Sequence, residues 1–331
     1  MKLFPALLKP VVPVLIMASG LAAQTALRPL HTPAEILQIM NDSKLVYQIS
    51  ADYHAEAAAD TPLVLSNQML LVKTDTGYIL TAYVLSDPAR RLRDRGEDAF
   101  ARLDFPAAIR SYDSLMSLDP TYYFALTLIG DSYYREGRYD TAVVYFRKAI
   151  QNNFADYDAH WFLADAYGKL SMPDSALKEI TIAYLLNVNH ENLGRAIRIR
   201  RADAGHPWVE WDFIPEYSIS KKGNDVSIEA PPLWLGYAMV KAVWKYEPGY
   251  ADSMIGAGKH NFVIDWPEEK EALLAFMVDS VKGARVKTIA EAGYLTEFVL
   301  FEITARRYPS VMALLPRDEF YRVVDYVNKF H

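Results

Sequence analysis

Residues 123–156 read YFALTLIGDSYYREGRYDTAVVYFRKAIQNNFAD, one unit of a repeat that extends in both directions. Stepping forward by 34 residues takes Gly130 to Ala164, Tyr133 to Tyr167, Ala142 to Ala176, Phe146 to Ile180 and Ala149 to Ala183. Stepping back by the same interval reaches Gly96, Ala99, Ala108, Tyr112 and Leu115. Small and aromatic residues locked to one period mark stacked helical hairpins, since one hairpin cannot bury its apolar face alone. Gly130, Ala142 and Ala149 let helix axes approach, and Tyr133, Tyr139 and Phe146 fill the space left between them. Gly137-Arg138-Tyr139-Asp140 marks the turn inside the hairpin.

This pattern resembles the tetratricopeptide repeat family over 89–190, about a third of the chain, with repeats starting near Ala89, Tyr123 and Tyr157. The middle repeat matches best, at Leu126, Ile129, Gly130, Tyr133, Gly137, Tyr139, Ala142, Phe146 and Ala149. The first carries Gly96, Phe105, Ala108, Tyr112 and Pro120, and the third Leu163, Ala164, Tyr167, Ala176, Ile180 and Ala183. It departs at Arg95, where an apolar residue is usual, at Ala99 in place of a large aromatic, and at Phe154 and Val188 in place of the closing proline. The resemblance implies a concave groove, lined by the first helix of each repeat, that holds a peptide or protein segment. Carried over by position, its lining is Arg93, Glu97 and Phe100, then Thr127, Asp131, Tyr134 and Arg135, then Trp161, Asp165 and Lys169. Glu97, Asp131 and Asp165 fall at one equivalent position. They form either an acidic ladder or an ordinary solvated row. Tyr134 and Trp161 are candidate aromatic anchors, although Trp161 suits a core equally well. With 12 basic and 14 acidic residues in the block, no strong field selects the partner. The basic and Asn arrangement with which some relatives grip a C-terminal carboxylate is missing, so no chaperone-tail receptor is expected.

The N-terminus reads as an export signal. Lys2 and Lys9 precede an apolar run, 11–23, that ends in small residues, with cleavage expected after Ala23 to leave Gln24. The run is shorter than the roughly 20 apolar residues of a span, and no other segment reaches that length. The chain has no cysteine, which excludes a lipid anchor at the cleavage point and any disulfide. An exported, periplasmic or extracellular protein is therefore expected. The net charge of −6 becomes more acidic once the signal is removed, which argues against nucleic acid and anionic membranes as partners.

The remaining segments divide as 24–88, a small α+β region, and 191–331, a helical region with a β-hairpin; the fold class is mainly α. Thr32-Pro33-Ala34-Glu35 opens a helix with a capping box. Strands 69–72 and 78–85 flank a turn at 73–77, and strands 217–220 and 226–229 flank another at 221–225. Arg195, Arg198, Arg200 and Arg201 form a basic run suited to a helix C-terminus. Pro231-Pro232 opens a helix with Leu233, Tyr237, Val240 and Trp244 on one face, closed by Pro248-Gly249. Further helices are expected over 267–282 with Gly283 as the stop, over 288–308 before Pro309, and over 317–329.

Catalytic motifs are missing. Ile255-Gly256-Ala257-Gly258-Lys259-His260 lacks the first glycine and the Ser or Thr of a phosphate loop. The seven histidines have no zinc spacing, so neither a metal nor a cofactor is expected. Glu297 and Glu302 lie in an apolar stretch where burial would raise a carboxyl pKa, but Arg306 follows Glu302 at the spacing of a helix-surface ion pair. The reading is an exported, non-catalytic interaction module. Two alternatives stand beside it: an enzyme sited in the C-terminal region with Glu297 or His260, or a structural protein whose groove is filled by its own flanks.

Overall fold

The computed structural model describes residues 29–53, 64–66, 68–74, 77–211, 213–256, 266–277 and 280–331. The export signal with its cleavage site at Ala23, and His260 with the glycine-rich run at 257–260, lie outside the described residues.

In chain order the elements are α1 (Pro33–Asp42), β1 (Val46–Ser50), β2 (Met69–Thr74) and β3 (Gly77–Ala82). Seven helices follow: α2 (Asp87–Ala101), α3 (Phe105–Leu118), α4 (Phe124–Arg135), α5 (Tyr139–Asn152), α6 (Tyr157–Lys169), α7 (Pro173–Leu186) and α8 (Glu191–Asp203). Next come β4 (Ser218–Lys222), β5 (Asp225–Glu229), α9 (Leu235–Tyr246), α10 (Tyr250–Ile255), α11 (Pro267–Phe276) and α12 (Val281–Glu291). The chain ends in α13 (Leu295–Phe298), a π-helical turn (Val299–Thr304), α14 (Ala305–Arg307), α15 (Ser310–Leu314) and α16 (Arg317–Phe330).

These elements form two compact units, one of 63–208 with 308–320 and one of 20–62 with 209–307 and 321–331. Neither coincides with a single segment of the linear division at 88 and 190.

In the first unit α2 to α8 pack each on the next, as three hairpins and a closing helix. The period has a steric cause. A Cβ on Gly130 would fall 2.5 Å from Phe146 Cε1, and one on Gly96 would be closer still to the Tyr112 ring. In the third hairpin the aromatic is replaced by Ile180, and Ala164 takes the glycine position with both buried. Each turn between paired helices passes through one left-handed residue, Leu103 (φ 63°), Gly137 (φ 77°) and Ser171 (φ 57°), again 34 apart. Only the middle one is the glycine that this conformation favours. Ser86, Asp104 and Asp156 cap α2, α3 and α6 through backbone N–H groups. Strands β2 and β3 pair from Met69↔Ala82 to Thr74↔Gly77, so Lys73, Thr74 and Gly77, read as turn, lie in the strands. The hairpin is tied down by Asn153, whose Nδ2 donates to the Met69 carbonyl at 2.9 Å.

The second unit is built on a three-stranded sheet in the order β1-β5-β4. β4 and β5 form the expected hairpin, with Ser218↔Glu229 and Lys222↔Asp225 as its ends, so the turn is shorter than 221–225. β1 adds in parallel, Val46 opposite Asp225 and Ser50 opposite Glu229. Helix α9 packs on β4 and β5, with α1, α10 and α11 against it. Tyr237, Val240 and Trp244 form the buried stripe, but Leu233 is exposed, because Pro232–Trp234 is a 3₁₀ turn that rotates it off the face. The capping box of α1 is present: Thr32 N–H donates to Glu35 Oε2 at 2.7 Å, and Glu35 N–H to Thr32 Oγ1 at 3.3 Å.

Two helix boundaries differ from expectation. The helix beginning at Pro267 ends at Phe276, and Gly283 stops nothing. Ser280 caps a new helix by accepting from Gly283 N–H at 2.9 Å, placing the glycine inside the first turn of α12. The helix expected over 288–308 is broken at Gly293 (φ 80°) and then rewound as a π turn.

Candidate functional site

Because α4 contacts α6 as well as its own partner α5, the outward residues of the first helices share one face. Glu97, Asp131 and Asp165 lie within electrostatic reach, each of its neighbour. Glu97 is exposed, and desolvation by its surroundings raises its carboxyl pKa; Tyr112 and Arg93 oppose the shift while Asp131 adds to it. Asp131 is half-buried and also shifted up, by burial first, with the Asp165 charge adding and Arg135 opposing. Each rung thus feels the next.

The bases are distributed along the same face. Arg93 forks onto Asp94 at 2.7 and 3.0 Å. Arg135 Nε donates to Asp131 at 3.3 Å and stays exposed. Tyr134 is half-buried with its ring 5.3 Å from that of Tyr139. Trp161 is half-buried at the far end, its ring edge-on to His190 at 5.9 Å, and Lys169 is exposed.

Two of the residues assigned to the groove do other work. Thr127 is only 4% exposed, and its hydroxyl donates to Asp156 Oδ2 at 2.6 Å. Asp156 also caps α6 by accepting from Ala159 N–H at 3.1 Å, so Thr127 clamps one repeat to the next. Phe100 packs edge-on against Phe105 at 5.4 Å and on the core of the first hairpin, where it supports the turn.

Two others were missed. Asp158 lies in the first turn of α6, half-buried, with its carboxyl pKa pushed up to about 7 by burial, then by Asp156 and Asp131. No ion-pair partner meets it among the described residues. It stands 34 residues after Phe124, and extending the position-by-position transfer by one more position would have found it. Arg200, read as part of a basic run at a helix end, donates from Nη2 to Asp165 Oδ1 at 2.8 Å. It lies over Gly168, where a Cβ would come within 2.8 Å of Nη1. Helix α8 therefore extends the lined face past the repeat boundary at 190. The helix itself keeps the period, since α8 stands 34 residues after α6, but Arg200 falls 34 residues after the buried Ala166, a position outside the transferred lining.

The acids singled out in the C-terminal region are structural. Glu297 is buried and accepts from Arg322 Nε at 2.5 Å. Glu302 is 1% exposed, so its pairing with Arg306 at 3.6 Å is not the helix-surface bridge expected. The π turn points Glu302 inward, where Oε1 accepts from Tyr326 Oη at 2.9 Å and meets His331 Nε2 at 2.6 Å. Among the described residues no group of acids and histidines is arranged to hold a metal ion, and no helix is long and apolar enough to cross a membrane.

The tetratricopeptide repeat profile matches residues 93–153 and 127–179, and 93–179 are tetratricopeptide repeats. No curated protein matches the chain. Similar solved structures include the first repeat domain of Spaghetti (RPAP3) bound to an HSP90 peptide, 21% identical, covering 37% of this chain and 99% of that one with a TM-score of 0.35. The Yersinia enterocolitica type III secretion chaperone SycD, in complex with a peptide of the translocator YopD, is 13% identical and covers 36% and 97%, with a TM-score of 0.33. MamA is 14% identical and covers 66% and 98%, with a TM-score of 0.32.

Proposed function

From the premise that residues 93–179 are tetratricopeptide repeats, we propose that this protein is a non-catalytic interaction module whose inner repeat face holds a peptide segment of a partner protein. One observation carries the reading. Glu97, Arg135 and Lys169 remain exposed, and Asp131, Tyr134, Trp161 and Asp165 partly exposed, while the same helices bury Ala89, Ala99, Ile129 and Leu163. Polar groups alternating with two aromatic rings suit a segment whose backbone needs hydrogen-bond partners and whose side chains need flat apolar surfaces. A basic side chain of the partner would pair with Asp158, an acid on this face with no ion-pair partner among the described residues. That pairing would lower its pKa.

The test is a pull-down with purified protein carrying Asp131→Ala, Tyr134→Ala and Trp161→Ala together. Capture of the partner is lost while circular dichroism shows unchanged helicity. Retained capture removes the assignment. Export belongs to the same proposal and rests on residues 1–23 alone. Mass spectrometry of the mature protein is expected to find Gln24 as its first residue, and an intact Met1 would refute it.

A further inference from the structure

A polar cleft of about 510 Å³ opens in the second unit, distinct from the repeat face. One wall is the strand leading into the hairpin, where Pro215, Tyr217 and Ile219 turn to one side at the strand period of two. The opposite wall is α9, which presents Lys241, Trp244 and Lys245 at i, i+3 and i+4. Glu268, in the first turn of α11, and Arg307 complete it.

The buried ammonium in this cleft is already engaged. Lys241 Nζ sits 2.5 Å from Glu268 Oε1 and 2.6 Å from Glu269 Oε1, and Glu269 also takes the Tyr237 hydroxyl. Three other groups are not engaged. The Tyr217 hydroxyl and the Arg307 guanidinium have no hydrogen-bond or ion-pair partner among the described residues. Among the described residues the Lys245 ammonium meets the Tyr246 ring alone, 5.1 Å away. All three carry donors, and the last two are cations. Lys241, Lys245 and Arg307 against Glu268 and Glu269 leave one positive charge in excess. A surplus of one suits a monoanion and disfavours a dianion beside Glu268. We infer that this cleft binds a small carboxylate, held by Arg307, Lys245 and the Tyr217 hydroxyl, with its body against Pro215, Ile219 and Trp244. The volume admits a molecule the size of a sugar acid, and the outer oxygen of Glu268 offers an acceptor for a ligand hydroxyl.

The experiment is calorimetric titration of the full chain with acetate, L-lactate and D-glucuronate at constant ionic strength, with D-glucose and inorganic phosphate as comparison arms. At least one carboxylate is expected to bind saturably, D-glucose not at all, and phosphate more weakly. Arg307→Gln should weaken the carboxylate about tenfold, the loss of one charge-assisted hydrogen bond. Tyr217→Phe should weaken it severalfold. Both residues lack protein hydrogen bonds, so thermal midpoints should stay unchanged; if Arg307→Gln fails to fold, Lys245→Gln reads the same contact. The inference is overturned if no carboxylate binds, if D-glucose or phosphate binds as tightly, or if Arg307→Gln and Lys245→Gln leave affinity intact.

Discussion

Equivalent positions in the three repeat turns should respond to substitution with opposite signs. Leu103, Gly137 and Ser171 share the left-handed backbone, with φ of 63°, 77° and 57°. That conformation costs an L-residue roughly 1–2 kcal/mol, while a glycine loses about 0.5–1 kcal/mol more backbone freedom on folding. Leu103 is 73% exposed, so Leu103→Gly sacrifices little packing and should stabilise by about 0.5–1 kcal/mol. Ser171→Gly, also at an exposed position, should do the same. At Gly137 an added Cβ meets nothing within 4 Å, so Gly137→Ala isolates the backbone strain and should destabilise by about 1 kcal/mol. Urea titrations followed by far-ultraviolet circular dichroism read all three as shifts of midpoint at constant slope. A destabilised Leu103→Gly, or a neutral Gly137→Ala, would refute the equivalence of the three turns.

Two more predictions concern charge and burial. Asp158 titrates near 7 in the folded chain against a reference of 3.8, so the native state binds the extra proton. Its contribution is present at acid pH and is lost as pH rises from about 4 through about 7. Asp158→Asn should therefore flatten the fall in stability over that window and stabilise the chain at pH 8 by on the order of 2 kcal/mol; an unchanged pH profile of thermal midpoints would contradict this. Tyr326→Phe removes one donor from Glu302, which is buried with Oε2 lacking any hydrogen bond. It should cost about 1–3 kcal/mol by denaturant titration, and a neutral result would mean the Glu302 cluster does not support the core.

The repeats were legible because their contacts are local. Gly130 needs Phe146 sixteen residues on, and the same demand recurs every 34 residues in the sequence. The turns were only partly legible: the left-handed position is visible at Gly137 but is occupied by leucine and serine in the flanking repeats. The parallel pairing of β1 with β5 joins Val46 to Asp225, and no local pattern announces a partner that far along the chain. Helix 267–276 ended early because Ser280 could cap a new helix, a competition between neighbouring signals that favoured the cap over Gly283. On the repeat face the acidic ladder followed from position alone. Thr127 turns inward because its hydroxyl meets Asp156, and Arg200 escaped the transfer because it stands 34 residues after Ala166, which is buried and lines nothing. In the C-terminal region Glu297 and Glu302 stand out as acids among apolar residues, and each engages partners through Oε1 while its Oε2 is buried without a hydrogen bond. The donors of the cleft without a hydrogen bond or ion pair among the described residues are at Tyr217, Lys245 and Arg307.

The central claim is that the inner face of the repeats, and not their outer face, meets a partner. A photo-crosslinking residue placed at Tyr134, on the inner face, is compared with one at Lys148, exposed on the second helix of the same hairpin. The account predicts a crosslink to one defined partner segment from position 134 and none from position 148. Crosslinking from 148 alone, or equally from both, would contradict it.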